Sequence, residues 1–324
     1  MSSLRERLSV AIEKRRDLLN RPDLDAVRLF NGSGDGIEGL VIERFGPVLI
    51  VQLHEGKIAA DLDALRDAIR DVVVPHGIQS VYLKQFVRDR GHVDDAIDVA
   101  NRNPSAWIGE NSPEHLSILE GTCRFIVRPY DGFSVGLFLE QRENRRRVTE
   151  LAKGRRVLNT FAYTCGFSVA AAQGGAASTS SVDLSVRYLE WGKENFTENG
   201  LTLDGHWFFC SDLFEFFNRA KRQNRRYDFI ILDPPTFSKT RRPERVFVLK
   251  DQLDELVRGA MELLDPGGLI LLSCNDRQLT LKALEASLHH ADSERRVTIV
   301  ERPPLPTDFD ADLEYAKSVI AKID

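Results

Sequence analysis

Three carboxylates, Asp183, Asp212 and Asp233, each close a short run that reads as a β-strand, and Asn159 stands inside a fourth run. A carboxylate at the end of a strand can accept hydrogen bonds from the hydroxyl or amino groups of a ligand lying across the sheet edge. The stretch RVLNTFAYTCGFSVAAAQGGAASTSSVD (156–183) reads as strand, Gly-containing turn through Gly166, small-residue helix and second strand, a βαβ unit. The separation of Asn159 from Asp183 is near the roughly 20 residues typical of nucleotide-binding units of this kind. The turn lacks the G-x-G-x-x-G pattern that cradles a pyrophosphate, so a nucleoside cofactor without phosphates fits better. An ordinary crossover with a surface Asp would show the same spacing.

Asp233-Pro234-Pro235-x-Phe237 is the most specific of these signals. Two prolines after an apolar strand stiffen the loop, fix the direction of the Pro234 carbonyl and hold Asp233 and Phe237 on one rigid edge. A planar base could stack on Phe237 while its polar edge meets Asp233 or that carbonyl. The bland alternative is a strand-stop turn with Phe237 in the core. Cys274, closing the apolar run Leu269–Ser273, is either a small buried hydrophobe or a nucleophile.

These residues need a scaffold that brings strand ends together. Residues 4 to about 20 carry Leu4, Leu8, Ile12 and Leu19 on one helical stripe, and 39–45 and 48–53 form a hairpin about the turn pair Gly46-Pro47. A helix over 58–71 and a strand over 81–86 complete a small α+β domain, and the polar stretch 88–115 is its loose end or connection. A helix starting near Gln141 carries Arg142, Arg145, Arg146 and Arg147. Beyond the βαβ unit, helices from Ser185, Leu213 and Val248 alternate with strands ending at Asp212, Leu232 and Ser273, and a helix near 280–289 and strands at 298–301 and 315–320 close the chain. Such alternation predicts an α/β domain with a Rossmann-like, doubly wound mixed sheet behind the smaller N-terminal α+β domain. The division expected is 1–26 (helix), 27–115 (small domain), 116–148 (β-hairpin linker and start of a helix) and 149–324.

Composition excludes several classes. No apolar run reaches the roughly 18 residues of a membrane span, and the charged first segment is unlike a signal peptide. The four cysteines lie far apart with no C-x-x-C pair, which suggests neither a disulfide framework nor a metal site and is consistent with a reducing cytoplasm. A formal net charge of -5 does not by itself announce a nucleic-acid binder. The clusters at 145–147, 219–226 and 239–245 are nonetheless expected to form a basic rim beside the strand ends.

GLFLEQRENRR (136–146), VLNTFAYTCGFSVAAAQGGA (157–176), SVDLSVRYLEWGKENFTENG (181–200) and LDPPTFS (232–238), together with the hairpin GDGIEGLVIERFGPVLIVQ (34–52), resemble the class I S-adenosylmethionine-dependent methyltransferases, specifically the large-subunit (23S) rRNA methyltransferase I/K type. That resemblance covers nearly the whole chain. It implies S-adenosylmethionine as cofactor and RNA as partner, with no membrane, no metal and homodimer formation left open. By resemblance the backbone from Phe161 through Tyr163 and Gly166 to Phe167 holds the methionine part, Asp183 with neighbouring Leu184 the ribose, and Asp212 the adenine amino group. Gln141 and Arg142 line the cofactor entrance, Asn159 and Asp233 belong to the cofactor site, and Asp233, Pro234, Phe237 and Cys274 to the chemistry. Three departures stand out: Cys165 where the family usually has Gly, no room for the N-terminal PUA domain of many cytosine-type members, and a final segment, PLPTDFDADLEYAKSVIAK, more like the guanine-N7 members. Methylation at cytosine C5 needs a thiolate to add to C6, and Cys274 stands where cytosine-type members carry one. Thr236 excludes the two-cysteine variant. Guanine N7 has a lone pair ready for direct attack. Cytosine C5 is the leading expectation and guanine N7 the second. A small-molecule or protein methyltransferase, or a non-catalytic SAM-binding protein, are the rivals.

Overall fold

The computed structural model describes the chain outside residues 1–2, 55–60, 87–100, 133, 242–243, 293, 311 and 313–314, with the backbone alone over the rest of 239–245. It divides into two compact units, Met1–Leu139 with Pro306–Asp312, and Glu140–Leu305 with Leu313–Asp324.

In the first unit, helix α1 (Leu4–Lys14) starts from a capping box between Ser3 and Glu6 and buries Leu8, Ala11 and Ile12. The helix expected to run to residue 20 breaks at Arg15, and a single turn, α2 (Arg16–Leu19), follows. Arg15 is buried, donating to the Arg28 carbonyl and pairing with Asp35 at 2.7 Å. Strands β1 (Ala26–Asn31), β2 (Leu40–Phe45) and β3 (Val48–His54), helix α3 (Leu62–Val72), and strands β4 (Ser80–Phe86) and β5 (Ile108–Gly109) build a sheet in the order β1-β2-β3-β4-β5. Only β3 and β4 run parallel. Strand β1 escapes a sequence reading because all six residues are buried, so it lacks polar-apolar alternation. Strands β6 (Leu116–Glu120) and β7 (Cys123–Val127) form a separate hairpin. The segment 306–312, expected in the second domain, belongs to this unit. Asp308 accepts from the Arg28 backbone N–H at 2.8 Å, and the Arg28 guanidinium lies 4.0 Å from the Phe309 ring centroid.

The second unit runs α4 (Arg142–Leu151), β8 (Arg156–Thr160), α5 (Gly166–Gln173), β9 (Ser178–Asp183), α6 (Val186–Glu198), β10 (His206–Cys210), α7 (Leu213–Arg222), β11 (Tyr227–Leu232), the hairpin β12 (Phe237–Arg241) and β13 (Glu244–Val248), α8 (Leu249–Met261), β14 (Leu264–Cys274), α9 (Leu281–Ala291), β15 (Val297–Glu301) and β16 (Lys317–Ile323). Its sheet has the order β10-β9-β8-β11-β14-β16-β15 with β16 antiparallel to both neighbours, the mixed doubly wound arrangement. The strand order reverses between β8 and β11, where open α/β sheets leave a crevice at the carboxyl ends of their strands. The apolar residues of β11 and β14 pack with Phe214, Phe217, Leu256 and Val257 in one continuous core. The D-P-P-x-F segment leads into a β-hairpin rather than a plain loop. No helix among the described residues is long and apolar enough to cross a membrane.

Candidate active site

The loop leaving β8 holds three non-glycine residues in the left-handed region, Phe161 (φ 50°), Tyr163 (φ 49°) and Cys165 (φ 61°). Each costs on the order of 1 kcal/mol or more, so the loop persists because its surroundings over-determine it. Asp183 accepts from the Tyr163 N–H through one carboxylate oxygen and from the Ser185 N–H through the other, both at 2.8 Å. The Ala162 N–H donates to the Val182 carbonyl, and Asn195 on α6 donates to the Thr164 carbonyl. Tyr163 meets Tyr188 edge-on with centroids 4.5 Å apart, and Phe161 meets Phe247 of β13 at 5.4 Å. Cys165 fits because α6 carries glycine opposite it: a Cβ at Gly192 would lie 2.4 Å from the Cys165 Sγ.

Helix α5 begins at Gly166 directly after this loop, with no side chain capping its first turn. Those N–H groups and the helix dipole suit an anionic group such as a carboxylate. Burial pushes the Asp183 carboxyl above its ordinary value, against backbone N–H donors from Ser185, Tyr163 and Leu184. A carboxylate has about four acceptor positions, so these donors leave room for a ligand hydroxyl. Leu184 is substantially exposed beside it, and Phe167 is buried. Asp212 caps α7, accepting from Phe214 and Glu215 N–H groups at 3.0 and 3.2 Å through one oxygen. Asn159 is fully buried and donates to Ser168 at 2.9 Å, which ties α5 to β8.

Gln141 and Arg142 are both buried. Gln141 donates to Asp233 at 3.0 Å and to the Ser273 hydroxyl at 2.9 Å, while Asn144 donates to the Gln141 amide oxygen and to Ser318 at 2.7 Å. A polar network thus joins the start of α4 to the ends of β11, β14 and β16. Sequence reading missed Asn144, Ser273 and Ser318; the only local signal is the Gln-x-x-Asn spacing on one helix face. Burial raises the Asp233 carboxyl to about 6, opposed by the Ser273 hydroxyl and the Arg145 charge. Pro234 is buried behind Asp233, and Phe237 is 58% exposed at the start of β12. Thr236 donates to the Asn275 side chain at 3.3 Å, tying the loops after β11 and β14.

Cys274 lies in the core beside Leu232, Leu272 and Val319 with 0% exposure. Burial pushes its thiol up to about 11, and Sγ accepts the Asp276 N–H at 3.2 Å.

The expected basic rim is largely absent. Arg145 is buried, Arg146 pairs with Glu143 at 2.9 Å and with Glu150, and Arg147 with Glu150 and Glu301. The run 219–226 ends α7 and feeds the amino end of β11, so the crossover carries it to the edge opposite the strand-end carboxylates. There Lys221 pairs with Glu262 at 2.9 Å. Only 239–245, in the β12–β13 hairpin, follows the Asp233 edge, and its side chains lie outside the described residues.

A family model described as S-adenosylmethionine-dependent methyltransferase matches residues 27–320. The chain belongs to that family. It is similar to the ribosomal RNA large subunit methyltransferase I of Erwinia tasmaniensis, 30% identical over 98% of this chain and 78% of that protein. It is also similar to the ribosomal RNA large subunit methyltransferase K/L of Dichelobacter nodosus, 36% identical over 85% of this chain and 37% of that protein. The crystal structure of SMU.776 complexed with SAH aligns with a TM-score of 0.88 at 29% identity, covering 99% of this chain and 83% of that one.

The protein is therefore a methyltransferase whose cofactor is S-adenosylmethionine. The geometry suits that molecule: an uncapped helix start for a carboxylate, Asp183 for a diol, and a doubly wound crevice without a pyrophosphate cradle. Among the described residues no group of three or more His, Cys, Asp or Glu could hold a metal ion.

Proposed function

We propose that this methyltransferase modifies large-subunit ribosomal RNA at a ring nitrogen, guanine N7, by direct transfer. RNA as substrate is supported by the two relatives above, both ribosomal RNA large subunit methyltransferases. The choice of atom rests on one observation, the full burial of Cys274 with its thiol raised to about 11. Attack at cytosine C6 requires a thiolate within reach of the base, and here the protonated form is favoured and covered by core side chains. A guanine N7 lone pair needs no nucleophile from the protein, only alignment.

In this reading the backbone of Phe161–Phe167 and the start of α5 hold the methionine part, Asp183 the ribose hydroxyls, and Asp212 the adenine amino group. Phe237 and the Pro234 carbonyl hold the base, and Asp233 stands beside it. Bound S-adenosylmethionine supplies an electrophilic methyl group, which the N7 lone pair takes as the carbon–sulfur bond breaks. The base gains a positive charge and there is no proton to remove, so an ionised Asp233 stabilises the product side electrostatically. Gln141 and Ser273 fix the carboxylate's orientation.

The test is transfer from labelled S-adenosylmethionine to large-subunit rRNA transcripts, followed by nucleoside analysis of wild type and Cys274→Ala. N7-methylguanosine from both proteins is expected. A C5-methylcytidine product that disappears in Cys274→Ala would replace this reading with the covalent one.

A further inference from the structure

The first unit holds a cleft of about 300 Å³ whose walls include Arg66, Tyr82, Asn101, Asn103, Ser105 and Trp107. Its outer wall, residues 101–107, is fastened to β4. The Trp107 N–H donates to the Val81 carbonyl at 2.7 Å, and the Asn101 side chain bonds both the N–H and the carbonyl of Gln85, at 3.0 and 2.9 Å. Tyr82 donates its hydroxyl proton to the Pro104 carbonyl at 3.2 Å and accepts the Ser112 N–H at 2.8 Å. The Asn103 carbonyl oxygen accepts the Ser105 N–H, which leaves the Asn103 amide protons and the Ser105 hydroxyl for a ligand. The cleft is therefore a held shape, not a gap between loose segments.

Arg66 is the unusual residue. On the same helix Arg70 pairs with Asp67 at 2.9 Å, and Asp71 takes Arg5 at 2.6 Å. Arg66 forms no ion pair among the described residues although Asp63 lies three positions before it. Its guanidinium instead stands 6.0 Å from the Trp107 ring centroid, and its Nε is buried without a hydrogen-bond partner. A buried donor without an acceptor costs free energy that a bound acceptor would recover. A cation without an ion pair among the described residues, an indole face and two polar groups in a fixed cleft suit a flat, polar, anionic ligand.

We propose that this cleft takes one unpaired nucleotide of the RNA substrate, its base against Trp107, its phosphate at Arg66 and its base edge at Asn103 and Ser105. The proposal rests on the RNA reading above and adds a docking site outside the methyl-transfer residues. It also gives the N-terminal unit a task in a chain whose net charge of -5 would otherwise repel RNA.

Two measurements test it. In a Trp207→Phe protein the remaining indoles are Trp107 and the fully buried Trp191. Adding a single-stranded large-subunit rRNA fragment should quench the emission, and a further Trp107→Phe change should abolish that quenching. Separately, Arg66→Gln, which breaks no ion pair among the described residues, should raise KM for the fragment about tenfold and make the logarithmic salt dependence of binding shallower by about 0.7. Its kcat at saturating RNA and its affinity for S-adenosylhomocysteine should stay at the wild-type values. If wild type methylates the fragment while Arg66→Gln keeps its KM and salt slope, or quenching survives loss of Trp107, the cleft is not the docking site. If wild type transfers no methyl group to any rRNA fragment, the RNA reading falls and this site falls with it.

Discussion

Gly192→Ala should change sign with the residue at position 165. In the wild-type chain a Cβ at Gly192 would lie 2.4 Å from the Cys165 Sγ and 2.8 Å from its Cβ. Cys165 has 0% exposure and a backbone already held at φ 61°, so the thiol has no space to turn into. Overpacking of this kind costs about 1–3 kcal/mol, whereas glycine to alanine inside a helix gains about 1 kcal/mol. The single change should therefore destabilise by up to about 2 kcal/mol. In Cys165→Gly the sulfur is gone and glycine takes the left-handed conformation without its usual steric cost. There the same alanine fills vacated space and should stabilise by about 1 kcal/mol. Urea unfolding of the four proteins, with equal denaturant slopes, measures the coupling, expected at about 1–3 kcal/mol. If Gly192→Ala has the same effect in both backgrounds to within about 0.5 kcal/mol, the two positions are independent and the account of how Cys165 is tolerated is wrong.

Three further outcomes follow from the strand-end network. Asp183→Asn leaves only one acceptor oxygen for the Tyr163 and Ser185 N–H groups, so calorimetry should show S-adenosylhomocysteine binding weakened by about tenfold or more. With the Asp233 carboxyl at about 6, kcat/KM should rise with pH through that value and level off above it, and Asp233→Asn should flatten the profile at a low rate. The same shift has a stability consequence: between the ordinary value of 3.8 and about 6 the folded protein keeps a proton the unfolded chain has released. Asp233 makes stability fall as pH rises across that window, and Asp233→Asn should make the slope in urea titrations at several pH values shallower, leaving the share of Asp183, whose carboxyl burial also raises. Gln141→Leu takes a donor from Asp233, so the rising limb of the rate profile should move above 6.

The strand ends were legible because each is a polar residue closing an apolar or β-rich run, and Ser185 caps the helix that starts there. What escaped was non-local. Gln141 reaches Asp233 across 92 positions and Ser273 across 132, and no periodicity reports such a pair. Strand β1 hid because Arg28 and Asn31 are buried, their polarity answered by Glu43 and the 306–312 segment. The arginines of α4 read as surface charge, but Arg142 and Arg145 turn inward and Arg146 and Arg147 meet glutamates. The run 219–226 was assigned to the wrong edge because charge says nothing of direction, whereas the crossover fixes it.

The carboxylates along this sheet edge divide their duties by the kind of donor each has. Asp183 and Asp212 accept backbone N–H groups, so both are bound into the loop and helix they follow, and a ligand meeting them meets a preformed acceptor. Asp233 is held by the side chains of Gln141 and Ser273 and is raised by burial, which leaves its charge responsive to what lies beside it. That separation suits a reaction in which the donor must be gripped before the acceptor acquires charge. On the RNA reading proposed above, the placement of charge also bears on where phosphates are met. Among the described residues the arginines of α4 are buried or neutralised and the 219–226 run faces away, so neither cluster is placed to meet phosphates at the strand ends. On that reading, with those two clusters excluded, binding should release few counterions, and RNA affinity should depend on salt less steeply than that of a basic RNA-binding protein.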